Sequence, residues 1–406
     1  MVQQSQNTYI PSEEVLEKYA DVLINFALNS GHGLQADEVV ELVVPDVAKP
    51  LALHLQNMVL KAGGIPLMRL MPTGFDKDYY SLATPKQLAF FPERYYEARS
   101  KLLHHSVSII ADVYPEELAG ISPEKIMLPR TARKPFRDLM IAKENRGQYT
   151  WTLALWGVEA KASIVGLNIE EYWQQIIQAC FLDTDNPIAE WKMLYQLQQH
   201  IKESLNALRI DWLDIEGSDI ELRVQLGENR IWNGGSGRNI PSFELFTSPD
   251  WRGTEGWVQF NQPVYRYGAV LEKPFLRFHK GLVTEAKAEK GQGLLDEMLK
   301  TENANKIGEY SLTDKRMSRI THPMAEILFD ENIGGPFGNT HLAIGNSYHD
   351  CYRGNPANVS QQEWRAMGFN DSAEHTDMIS TTDRTVTATL TSGEKRVIYR
   401  DGEFVV

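Results

Sequence analysis

The sequence predicts an α/β protein of two domains. An N-terminal alternating α/β domain with a mainly parallel sheet precedes a C-terminal mixed α+β domain that carries the chemistry. Three observations predict this. The first third of the chain alternates apolar stripes of helical period with short β-branched runs, the pattern of strand–helix–strand units. From about residue 208 the pattern changes to short strands separated by glycine-containing turns. A chain of 406 residues is also longer than a single core usually serves.

The elements follow in order. "PSEEVLEKYADVLINFAL" opens with Pro11 and Ser12 and sets Val15, Tyr19, Val22, Leu23 and Phe26 on one helical stripe. "DEVVELVVP" reads as a strand, "VAKPLALHLQNMVLKAGG" as a helix ending at glycine, and "IPLMRLMP" as the next strand. Thr84, Pro85 and Gln87 form a helix-start signature that can complete a capping box. "HSVSIIADVYP" is a further buried strand. The stretch 167–207 is helical and aromatic, and closes an N-terminal domain of 1–207. In the C-terminal domain, 208–406, "DIELRVQLG", "GWVQFNQPVYRYG", "TVTATLTSG" and "KRVIYRDGEFVV" read as strands, the last stretches as a meander. "AKAEKGQGLLDEMLK" interrupts them as a helix.

Composition narrows the function. Hydrophobic residues at 42% and charged ones at 23% are globular values, which excludes a disordered or fibrous chain. A net charge of −13 argues against general affinity for nucleic acid or anionic membranes. Two cysteines, Cys180 and Cys351, exclude a disulfide framework and a cysteine-rich zinc module. With no basic-then-apolar leader and no long apolar run, a cytoplasmic protein is expected.

Familiar motifs are missing. The sequence holds no G-x-x-x-x-G-K-[ST] phosphate loop and no H-E-x-x-H pair. "NGGSGRN" fails both the dinucleotide pattern and the G-x-S-x-G elbow, where Arg238 takes the last glycine position. What remains is a set of acids and imidazoles in the C-terminal half: Glu244, Glu309, His341, His375 and Asp377, with Tyr348. His375 and Asp377 are two apart before a β-branched run, so on a strand they share a face. Carboxylates can bridge two divalent cations and imidazole suits zinc, cobalt and manganese, so this is the composition of a two-metal hydrolytic site. Plainer readings stand beside it. Glu309 alone can be a solvated edge residue, and His375 with Asp377 a surface pair.

These segments resemble the thermophilic-type metalloaminopeptidases, the aminopeptidase T, AmpS and PepS group. "NIPSFELFTSPDWRGTEG" is similar to the family's N-[LI]-P-x-x-E-x-[FY]-T-x-P segment, "IGEYSL" to its G-E segment, "FDENIGGPFGNTHLAIGNSY" to its F-D-E-N…H-L-A block, and "HTDMI" to its H-x-D element. The resemblance implies an exopeptidase that removes N-terminal residues from peptides with a free amine. It places metal ligands at Glu244, Glu309, His341, His375 and Asp377, with Glu309 bridging two divalent ions (Zn, Co, Mn or Mg). Tyr348 is then the active-site tyrosine that stabilises the oxyanion, and Glu244 is one choice of general base. It also implies a homodimer, to which the aromatic middle segment contributes an interface. Two departures bear on specificity: Phe243 and Ser380 stand where relatives commonly carry glycine, and Phe243 is expected to narrow the pocket. A metal-dependent hydrolase of non-peptide amides and a non-catalytic cation-binding protein are the alternatives.

Overall fold

The computed structural model describes residues 9–406 apart from 228, 267 and 268. The chain forms two compact units. One extends to Trp191 and takes in Ser236–Ile240; the other holds Lys192–Gly235 and Pro241–Val406. The division falls inside the helix Pro187–Ala207, whereas the change in composition placed the expected boundary at its end.

The first unit is built on a five-stranded parallel sheet in the order Ile65–Met71, Val39–Pro45, His105–Ile110, Thr150–Leu155, Asn239–Ile240. The helix Glu13–Val22 starts where Ser12 accepts a hydrogen bond from the Val15 N–H, and it buries Leu16, Tyr19, Ala20 and Val22. Lys49–Lys61 is the helix expected between the first two strands, with Pro50 in its first turn. The aromatic rings of the middle segment pack into the core. Helix Ile169–Ala179, closed by the Asn168–Glu171 capping box, buries Tyr172, Trp173 and Ile176. Trp173 packs edge-on against buried Trp156, with ring centroids 4.9 Å apart. Thr84 and Gln87 do make a capping box, but its helix is one turn, Pro85–Leu88. Pro92 disfavours helix at Phe91 and stops propagation. The strand Thr150–Leu155 was not anticipated.

The second unit contains two antiparallel sheets. The larger runs in the order Leu282–Lys287, Phe275–His279, Asp250–Gln259, Ile220–Gln225, Ile210–Gly217, Arg384–Leu390, Lys395–Arg400, Glu403–Phe404, so the C-terminal meander forms as expected. The smaller has four strands in the order His375–Ser380, Asn339–Gly345, Ile307–Thr313, Glu244–Thr247. Both its central strands are buried along their whole length. "AKAEKGQGLLDEMLK" is helical only over Gln292–Lys300, because Ala286 and Lys287 end a strand and Gly291 takes φ +83°, outside the helical region. No helix among the described residues is long and apolar enough to cross a membrane.

Candidate metal centre

Each of the five acids and imidazoles singled out from sequence lies on a different position of the four-stranded sheet, and strand register brings them together. Ser311 pairs with His341, and Ala343 pairs with both Glu309 and Asp377. Because side chains two apart share a face, His375 and Asp377 project with Glu309 and His341. Glu244, at the start of the outer strand, joins them.

A kink aligns this row. The register slips between Ile307 and Glu309, at Gly308. A Cβ there would overlap the Asn346 carbonyl oxygen, so only glycine lets the strand come this close. The same carbonyl accepts the Nδ1–H of His375 at 2.9 Å. Gly345, opposite His375, has φ +99° and leaves no room for a side chain against the Glu374 carbonyl.

The ligand atoms form two groups. One oxygen each of Glu244 and Glu309 and a nitrogen of His341 lie within 4.8 Å of one another, as do atoms of Glu309, His375 and Asp377. Glu309 belongs to both. His341 Nε2 is 3.1 Å from Glu309 Oε1 and 3.1 Å from Glu244 Oε2. His375 Nε2 is 3.5 Å from Asp377 Oδ1 and 3.8 Å from Glu309 Oε2. Each imidazole uses Nδ1 on a backbone carbonyl, His341 on that of Glu331 at 3.2 Å and His375 on that of Asn346. Both Nε2 atoms are thereby turned toward the carboxylates, the orientation a metal-ligating histidine takes.

The electrostatics describe the same cluster. Burial, then the carboxylates of Glu244 and Asp377, push the Glu309 pKa up to about 7. Burial alone would lower His375, but Asp377 and Glu309 outweigh it and hold it at about 9. Burial likewise opposes, and the two imidazolium neighbours reverse, the shift of Asp377, which falls to about 2. His341 is raised well above its ordinary value by Glu244, Glu309 and Asp377, against burial. Tyr348 keeps 40% of its surface exposed, yet desolvation of its hydroxyl and the surrounding carboxylates raise it well above 10, which keeps that hydroxyl a donor.

Divalent cations fit this donor set. Asp377 Oδ1 is buried without a hydrogen-bond partner, and several carboxylates converge around two imidazoles. Tyr348 borders the cluster, its ring 4.9 Å from that of His375, and its backbone N–H donates to Ser248 Oγ at 2.8 Å.

Glu331 was missed. Its side chain is buried, and burial followed by Glu244 and Asp377 drives its pKa well above the carboxylate range. The signal was the polar run Asp330–Glu331–Asn332 between apolar Phe329 and Ile333, with all three polar residues buried. Asp330 accepts the N–H groups of Met324 and Glu326, and Asn332 accepts that of Phe243, so the run also braces the residue before Glu244. Phe243 itself is wholly buried and narrows no open pocket. Ser380 is one position out of step with His375 and Asp377 and donates to Asp219.

The model of the thermophilic metalloprotease family (M29) matches residues 12–404. The chain is 30% identical to Aminopeptidase T of Thermus aquaticus, covering 97% of this chain and 99% of that protein. It is 27% identical to Aminopeptidase AmpS of Bacillus subtilis over 80% and 83% of the two chains. Wild-type AmpT from Thermus thermophilus superposes with a TM-score of 0.83 at 25% identity, covering 97% of this chain and all of that one. The chain belongs to the thermophilic metalloprotease family M29. It is therefore an enzyme of the hydrolase class whose family implies a divalent metal.

Proposed function

We propose that this protein is an aminopeptidase that removes the N-terminal residue of peptides at a site for two divalent ions. Glu244, Glu309 and His341 would hold one, and Glu309, His375 and Asp377 the other. The observation that carries this is the sharing of Glu309 between two ligand groups on one sheet face. Zinc, cobalt, manganese and magnesium are the candidate ions, and when bound they would supply Lewis acidity to the scissile carbonyl and to a water.

The chain's own groups do the rest. The carboxylates of Glu244, Glu309, Glu331 and Asp377 attract the free amine of a peptide, which confines cleavage to the first residue. The Tyr348 hydroxyl donates a hydrogen bond to the developing oxyanion, a role worth about 3–4 kcal/mol where such donors have been removed. Glu244 and Glu331 are the carboxylates offered as proton acceptor.

The names of the relatives support the aminopeptidase reading. Two buried, unpaired thiols, Cys180 and Cys351, fit the cytoplasm. Exposed Leu53, Leu60, Ile65 and Leu70, around the edge strand of the parallel sheet, support a homodimer, for which sedimentation velocity should give twice the chain mass.

Leucine arylamide and its N-acetyl derivative test the proposal. The free amine should be hydrolysed and the acetylated compound left intact. Equal turnover of both would point to a general amidohydrolase, and turnover of neither, by protein with bound metal, to a cation-binding protein.

A further inference from the structure

We propose that Phe246 and Tyr348 wall the subsite for the side chain of the substrate's first residue and select large apolar side chains there. This deepens the aminopeptidase reading and rests on it.

Phe246 follows Glu244 by two residues on an extended strand, so its ring stands on the ligand face, about 7 Å further along. It pairs with Ser311, which in turn pairs with His341. Its strand neighbours Leu245 and Thr247 are buried, yet Phe246 is only half-buried. Its backbone is nonetheless fixed. The Phe246 N–H donates to Asn233 O at 2.9 Å, and Phe246 O accepts from Asn233 N–H at 2.8 Å.

From Phe246 an aromatic row leads to the ligands. Its ring meets that of Tyr348 edge-on at 5.9 Å, and Tyr348 meets His375 at 4.9 Å. Tyr348 is 40% exposed, an unusual position for an aromatic ring so close to buried carboxylates. A partly open aromatic wall beside a charged floor suits a substrate group that is apolar and branches from a carbon bearing an amine. The side chain of the first residue is that group, because it branches from the carbon that bears the amine. Arg266 donates to the His375 carbonyl at 2.8 Å and pairs with buried Glu374 at 3.5 Å, which holds the start of the strand that carries the ligand pair.

The test compares kcat/KM for glycine, leucine, phenylalanine and arginine arylamides in the parent protein, Phe246→Ala and Phe246→Leu, each with its metal content measured. The parent should prefer leucine and phenylalanine over glycine and arginine. In Phe246→Ala the leucine-to-glycine ratio should fall at least about tenfold, and Phe246→Leu should recover most of it. A ratio that stays the same in Phe246→Ala, or a parent that prefers arginine, would overturn the subsite while leaving the aminopeptidase reading intact. A parent that cleaves no arylamide would remove both.

Discussion

At the scale of single residues, the chemistry depends on a few groups whose ordinary charges are displaced by one another. Glu309 stands at the centre, since both ligand groups need one of its oxygens. Glu331 lies beside it, and its raised pKa follows from burial among carboxylates. Whether it moves a proton or completes a ligand shell, the neutral amide cannot replace it. Glu331→Gln should lower kcat at least about 100-fold with the fold retained by circular dichroism. A variant within twofold of the parent would exclude Glu331 from the site. The ligand residues were legible in sequence because each sits in a short motif with its own spacing. Glu331 sits in such a motif too, but His341 and Tyr348 in the same stretch drew the assignment. Nothing in a linear pattern says that its side chain turns inward.

At the scale of elements, the sheet acts as a template. Four antiparallel strands far apart in sequence deliver their ligands because their registers agree, and a one-residue slip would send a strand's ligands to the other face. Gly308 sets that register at the bulge in the Glu309 strand. Gly308→Ala should therefore cost about 1–3 kcal/mol of stability through overpacking against Asn346. It should also weaken metal binding at 25 °C, because Asn346 O orients His375. Denaturant unfolding with metal analysis checks both, and normal metal affinity in that variant would contradict the argument. Strand alternation of His375 and Asp377 was readable directly. The bulge was not, since a lone glycine in a strand pattern is compatible with many backbones. The helix over 286–300 was misjudged for a related reason: its apolar spacing is helical, but Gly291 breaks the backbone before Gln292.

At the scale of the whole molecule, the two units differ in how much the sequence announces. The alternation of the first unit identifies a parallel sheet, yet the strand Thr150–Leu155 was passed over although Trp151, Leu153 and Leu155 recur with a period of two. The aromatic segment after it was expected on analogy to contribute an interface, and its Tyr172, Trp173 and Trp191 are buried in the core of the chain itself. Large rings are buried more readily than their exposure in an interface would suggest, and a single chain with a sizeable core has room for them. The second unit announces its chemistry but not its sheets, since strand order is a property of non-local pairing.

The most direct test of the two-metal site is a metal titration of the whole, chelator-stripped protein. Zinc, cobalt, manganese or magnesium is added in steps while bound metal and leucine arylamide hydrolysis are followed together, with circular dichroism confirming the fold. The account predicts that activity appears with metal and reaches its plateau at two ions per chain. A plateau at one ion, or full activity in the stripped protein, would contradict the shared role of Glu309.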